Sequence, residues 1–301
     1  MERNKFRTDE IELKEFINIL WQKKITVLTI ATALTALSLI HAYTTPSLYK
    51  SEALLAPTTL NDSLSDKLGS LSTLSSIAGA SFPVEAGNKP TEAIARMQSY
   101  KFFVNLVLPN IKLENLLAVD GWNPENNILK YDNSIFDISK NTWVKNSKIP
   151  TSQEAYIAYQ DIFKISQDSK TSFVTISIEH YSPHIAKTWL EIVINNIDES
   201  MRQADRVNAQ KAIDFLNESV SSIKLSKIQS AISILIEDQM KALMLAEANE
   251  DYIFKEIESP IVPEIPFYPN KILIVVLGIL LGLTFGMLAA LYKFYFESIR
   301  S

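Results

Sequence analysis

Ile272-Leu-Ile-Val-Val-Leu-Gly-Ile-Leu-Leu-Gly-Leu-Thr-Phe-Gly-Met-Leu-Ala-Ala-Leu291 decides the fold. None of these twenty residues is charged, and thirteen are Leu, Ile, Val or Phe. At roughly −0.3 to −0.6 kcal/mol each, they favour insertion into a bilayer by about −4 to −8 kcal/mol. Twenty residues rising about 1.5 Å each also match a hydrocarbon core of about 30 Å. A buried helix of a water-soluble domain would carry a polar stripe, and this stretch has none. Inside it, Gly278, Gly282 and Gly286 recur at every fourth residue. Successive positions rotate by about 40° on an α-helix, so the three share one face and admit another helix backbone closely. The expected partner is a second membrane helix, from this chain or from a neighbouring copy.

The other apolar stretch runs from Ile25 to Tyr43, where eight of nineteen residues are Leu, Ile or Val. Those eight contribute about −2 to −5 kcal/mol, offset in part by Thr26, Thr29, Thr32, Thr35, Ser38 and His41. Such a helix needs a partner, and its Ala31, Ala33, Thr35 and Ala36 suit the glycine face. A cleaved signal peptide is disfavoured by the long acidic leader (Glu2, Asp9, Glu10, Glu12, Glu15) and by the lack of a small-x-small cleavage site. Basic residues set the orientation. Arg3, Lys5, Arg7, Lys14, Lys23 and Lys24 precede the first stretch, and Lys293 and Arg300 follow the second. Both termini are therefore expected in the cytoplasm, with Lys271 the one dissenting charge. Tyr292 and Tyr295 read as interfacial aromatics.

Ahead of the second span, Pro260, Pro263, Pro266 and Pro269 recur at every third residue. Polyproline II has three residues per turn, so the spacing predicts an extended, solvated rod with all four prolines along one edge. Further back, no Gly or Pro occurs between Pro183 and Pro260. Apolar residues there recur at helical spacing: Ile185, Trp189, Val193, Ile197 and Met201, then Ile213, Leu216, Val220 and Ile223. The stripe changes phase at 221–226 and continues as Leu225, Ile228, Ile232 and Leu235. One straight helix would exceed about 100 Å, so a bend or turn is expected there.

The preceding part reads as a mixed base. Leu48–Ala56 is a strand ended by Pro57, and Ser172–Glu179 is a strand with one face buried. Phe163–Ile165 is a shorter apolar piece. Thr91–Leu108 is expected to be helical, with Ile94, Met97, Phe102 and Leu106 on one face. Leu68, Leu71, Leu74 and Ile77 suggest a short helix within a Ser- and Leu-rich loop. Residues 109–150 read as connecting structure over the surface. The expected organisation is α+β: an N-terminal segment 1–24, a first span 25–44, and an outer domain 45–271 before a second span 272–292 and a tail 293–301. The outer domain divides into an α/β base 45–182, a helical arm 183–259 and the proline rod 260–270.

Chemistry finds no foothold. There is no phosphate-binding G-x-x-x-x-G-K-[ST] loop, no H-E-x-x-H and no G-x-S-x-G, and the chain has no Cys and three His. His180 and His184 are separated by Pro183 at an expected strand-to-helix change, so they would not share a helical face. Acidic residues (34) outnumber basic ones (29), without a basic cluster interleaved with aromatics, which argues against nucleic acid as a partner. No catalytic, cofactor or metal residue is expected, and the chain is not read as an enzyme.

Taken in order, several stretches resemble the polysaccharide co-polymerases, the Wzz or chain-length determinant family. They are the leader Asp9–Lys24, Tyr49-Lys-Ser-Glu-Ala-Leu-Leu-Ala-Pro57, the helical stretch Leu235–Tyr252, the proline spacing and the glycine-bearing span. The resemblance implies a two-pass protein of the bacterial inner membrane, with a periplasmic base and arm and a ring-shaped homo-oligomer. It implies control of the length of a surface polysaccharide, usually lipopolysaccharide O-antigen, beside a separate membrane polymerase. The implied partners are other copies, that polymerase, membrane lipid and a lipid-linked glycan. Relatives that carry a tyrosine kinase extend beyond the second span, whereas here only residues 293–301 follow it. The competing reading is a membrane adaptor that activates a separate tyrosine kinase in capsule or exopolysaccharide export. A two-span sensor is a third, and lacks an output module.

Overall fold

The computed structural model describes residues 21–58, 89–144, 148–222, 226–249 and 251–300. The leader 1–20 and the Leu68–Ile77 pattern lie outside them. The chain divides into two units, one made of residues 1–47 and 267–301 and the other of residues 48–266.

The first unit holds α1 (Lys24–Thr44) and α8 (Lys271–Arg300), packed against each other. Both are long and apolar enough to cross a membrane. The polar residues of α1 are accommodated within the helix. Thr29, Thr32, Thr35, Ser38 and Thr44 each donate a hydroxyl hydrogen bond to a carbonyl three or four residues back, at 2.8–3.0 Å. Lipid offers no such partner, so this internal pairing lets a Thr-rich helix stand in a bilayer. The first turn of α8 is fixed by Asn270, whose side-chain oxygen accepts from the Leu273 N–H at 3.1 Å and whose carbonyl accepts from Ile274 at 3.1 Å.

The second unit is built on an antiparallel sheet ordered β6-β7-β1-β8. Its strands are β1 (Tyr49–Pro57), β6 (Phe163–Gln167), β7 (Val174–His180) and β8 (Phe254–Glu258). β1 lies centrally, pairing Tyr49 with His180 and Leu55 with Val174 on one side, and Pro57 with Phe254 on the other. Alternation sends Ala53, Leu55, Val174, Ile176 and Ile178 into the core. Helices α2 (Lys89–Met97), α5 (Ser152–Ile162) and α6 (Pro183–Ser222) contribute Ala93, Met97, Tyr159, Trp189, Leu190, Val193, Ile197 and Met201 to the same core. α5 begins with a capping box: Thr151 accepts from the Glu154 N–H, and the Glu154 carboxylate accepts from the Thr151 N–H.

Three expectations are corrected. The helix expected over Thr91–Leu108 is interrupted at Ser99, which is extended and whose hydroxyl oxygen accepts from the Phe102 N–H at 3.2 Å. Ser competes well with helix propagation in that role and starts a new element, α3 (Tyr100–Phe102), which continues as a π turn, Phe103–Val107, and a 3-10 turn, Leu108–Asn110. Residues 109–150 also hold α4 (Leu113–Leu117) and two hairpins, β2–β3 (Val119–Asn123, Ile128–Tyr131) and β4–β5 (Phe136–Asp137, Thr142–Trp143). Asn127 and Asn141 take positive φ in the two turns (53° and 51°), a role that Asn fills readily. Finally, Phe254–Glu258 belongs to the sheet and not to the arm. With α7 (Ser226–Ala248) the arm is an antiparallel helix pair that ends before that strand. α6 ends at Ser222 and α7 begins at Ser226, and the expected change of direction at 221–226 lies largely outside the described residues.

Candidate functional site

α1 and α8 run antiparallel, and the glycines of α8 lie against α1. A Cβ placed on Gly278 would overlap the Ser38 side chain. On Gly282 it would stand 2.9 Å from both the Cα and the carbonyl oxygen of Ala31, and on Gly286 2.9 Å from the carbonyl oxygen of Val27. Each four-residue step along α8 is thus answered by a step of four to seven residues back along α1. Backbones this close leave no room for a methyl group, as expected for small-residue helix packing. The opposing residues are Val27, Ala31 and Ser38, while Ala33 and Ala36 are exposed. Of the small residues expected to face the glycines, Ala31 lies opposite Gly282.

At one end of the pair, Lys271 Nζ stands 5.0 Å from the centre of the Tyr43 ring. At the other, Lys24 Nζ stands 5.3 Å from the Trp21 ring. Tyr292 stacks on Phe296 with centroids 5.9 Å apart. The charge of Lys271, discordant in the basic-residue count, is set over an aromatic face.

Pro260, Pro263, Pro266 and Pro269 follow β8 in a stretch without helix or strand apart from a single bridge at Tyr268. Pro260 and Pro269 are buried, Pro263 and Pro266 half-buried, and the chain bends at Glu264–Ile265. The Ser51 hydroxyl donates to the Ile261 carbonyl at 2.8 Å, so the stretch is docked on β1 at its start rather than fully solvated.

The root of the arm holds a polar cluster that sequence reading missed. Asp198, Arg202 and Asp205 share one face of α6. Asp198 Oδ1 accepts from the backbone N–H groups of Tyr252 (3.1 Å) and Ile253 (2.8 Å), turning the chain into β8. Its other oxygen accepts from Arg202 at 2.8 Å. Arg202 also donates to the carbonyls of Ala246 (3.1 Å) and Asn249 (2.6 Å), capping the C-terminal end of α7. Asp205 receives the Tyr252 hydroxyl at 2.6 Å and Lys89 Nζ at 2.7 Å. Arg206 and Glu247 form a further bridge between the helices. Burial, then the Asp205 hydrogen bond, pushes the Tyr252 phenol well above its ordinary range. The 4,3 spacing of Asp198, Arg202 and Asp205 was the available signal, but an acid-base-acid run on a helix reads equally well as a solvated face.

His180 is buried. Its Nδ1 accepts from the Ser182 N–H at 2.9 Å, which assigns the hydrogen to Nε2, 3.0 Å from the Asn115 carbonyl. Desolvation lowers its pKa despite both backbone contacts. His184 is exposed, its ring against Trp122. Among the described residues no group of three His, Cys, Asp or Glu side chains is placed to hold a metal ion.

None of the curated proteins compared by sequence matches the chain. Among solved structures, a full-length bacterial polysaccharide co-polymerase is similar at 12% identity, with 95% of this chain and 99% of that one covered and a TM-score of 0.44. A fragment of WzzB, a polysaccharide co-polymerase from Salmonella Typhimurium, is similar at 12% identity, covering 74% of this chain and 100% of that one with a TM-score of 0.36. The family model described as Wzz, chain length determinant protein, matches residues 9–103, the part that contains α1, β1 and α2. By that match, residues 9–103 are similar to the Wzz chain length determinant family.

Proposed function

We propose that this chain sets the chain length of lipopolysaccharide O-antigen as an oligomeric co-polymerase, beside a separate membrane polymerase that makes the glycosidic bonds. The family match over residues 9–103 carries the reading. The order of elements supports it: a candidate span, a mixed sheet-and-helix unit with a long helix pair, and a second candidate span. In this account both termini face the cytoplasm, and residues 48–266 lie in the periplasm. The proline stretch hands the chain from that unit to the second span.

The chain's contribution is geometry rather than bond chemistry. α1 and α8 form one closely packed unit in the bilayer, offering the polymerase a rigid surface in place of two independent helices. Outside the membrane, copies gather through the arms into a ring around the lipid-linked glycan. Phe215, Met240 and Met244 on the arm are exposed to solvent, and large apolar side chains of this kind favour burial against another copy. The ring biases how long polymerisation continues before the glycan is passed on. The lipopolysaccharide ladder of a strain lacking the chain, with and without the chain restored, tests the proposal. A clustered ladder should collapse to a random distribution and be rescued.

A further inference from the structure

The apolar length of α8 does not by itself fix its depth in a bilayer. Its candidate span, Lys271–Phe296, has 26 residues and is about 39 Å long, some 9 Å more than a hydrocarbon core of about 30 Å. A helix with that slack can slide or tilt unless an anchor selects one position. Aromatic side chains stand at the end where α8 begins, all within the unit that contains the helix pair. Tyr43, at the end of α1, is 73% exposed, and Phe267 and Tyr268 are 53% and 51% exposed. Lys271 lies over the Tyr43 ring.

Chain length ties these residues to the membrane boundary. The Asn270 cap fixes the first turn of α8, and Tyr268 and Phe267 precede Lys271 by three and four residues. At no more than about 3.6 Å per residue, they lie within about 11 and 14 Å of the start of the span. The opposite end marks the other boundary. From Lys24 to Tyr43 along α1 is about 29 Å, and from Lys271 to Tyr292 along α8 about 32 Å, both close to the hydrocarbon thickness. A Tyr ring held at that depth gains most where its apolar body and its hydroxyl meet a wet rim, which is the headgroup region, and the neighbouring Phe ring adds apolar area on the lipid side.

We propose that Phe267, Tyr268 and Tyr43 form an aromatic foot lying in the phospholipid interface of the leaflet at which α8 begins. The foot fixes the height of the helix pair. The occupant of this exposed surface is lipid, since the surface is continuous with the lipid-facing side of α8, where Ile272 and Leu273 are also exposed. The inference rests on the two helices crossing a bilayer and on nothing about polysaccharide.

The chain has no Cys, so single-cysteine variants of the full chain report one position each. Tyr268→Cys and, independently, Phe267→Cys are labelled with an environment-sensitive fluorophore and reconstituted in vesicles of phosphatidylethanolamine and phosphatidylglycerol. Quenching by a nitroxide on the lipid headgroup should be several-fold stronger than by aqueous iodide, with the reverse at Glu264→Cys. Iodide quenching equal to that at 264 would place the segment in water and overturn the proposal. Protection from both quenchers would mean that protein covers it, and would overturn it equally. Leu280→Cys, in mid-span, should be quenched by a nitroxide deep in the acyl chains. Failure there would refute the membrane-spanning premise, separately from the foot.

Discussion

Gly282 and Ala31 meet backbone to backbone: a methyl group on Gly282 would stand 2.9 Å from both the Cα and the carbonyl oxygen of Ala31. Neither atom belongs to a side chain that can rotate away, so any substitution must move one helix. Gly282→Leu is therefore expected to broaden the polysaccharide length distribution while the protein still accumulates in the membrane. Gel ladders and immunoblots of membrane fractions check the two halves. An unchanged distribution would remove the packing claim. Gly278→Ala should be no milder, because it meets the Ser38 Cβ, which is fixed to the α1 backbone and cannot rotate away.

Asp198 and Arg202 should behave as one unit. Both side chains are only 19% exposed, and between them they hold two backbone N–H groups and two carbonyls. Removing either leaves several of these without partners, at an expected cost of about 2–4 kcal/mol. Asp198→Ala and Arg202→Met should each lower the thermal midpoint of the detergent-solubilised chain, and the double variant should lose less than the sum. Arg202→Lys should not restore stability, because a single ammonium cannot match the guanidinium fork.

His180 gives the fold an acid sensitivity. The folded protein holds the ring neutral to lower pH than the unfolded chain does, because burial opposes the charge. Acid therefore protonates the unfolded chain first. The contribution is fully present at neutral pH and is lost as pH falls below about 6.5, by no more than about 1.4 kcal/mol per pH unit. Stability against denaturant should decline through that window in the native chain. The decline should be shallower in His180→Asn, whose side chain does not titrate.

Phe215 on α6 tests assembly. It is exposed in the single chain, and burying such a side chain between copies is worth about 1.5–3 kcal/mol at each contact. Phe215→Glu should shift the purified protein toward smaller species in light scattering, with helix content unchanged. A native-sized assembly would exclude this part of the arm from the contact.

Much of this was legible from residue order. The two candidate spans, β1, β7 and the start of α6 follow from apolar runs, alternation and the Pro183 boundary, each a local pattern with few competing readings. Ser99 was not recognised as a cap, because a single Ser within an amphipathic pattern is common in helices. β8 was absorbed into the arm because Phe254 and Ile257, three residues apart, fit a helical period, and its pairing with β1 joins residues some 200 positions apart. The root cluster was hidden for the same reason: Asp198 and Tyr252 meet only once the helix pair has folded back.

The lipopolysaccharide ladder tests the central claim most directly, comparing a strain deleted for the chain, the same strain with the chain restored, and the same strain with Gly282→Leu. The intact chain should give a modal cluster, its deletion a random distribution, and the variant a broadened cluster. A ladder that is the same in all three strains would contradict control of O-antigen length.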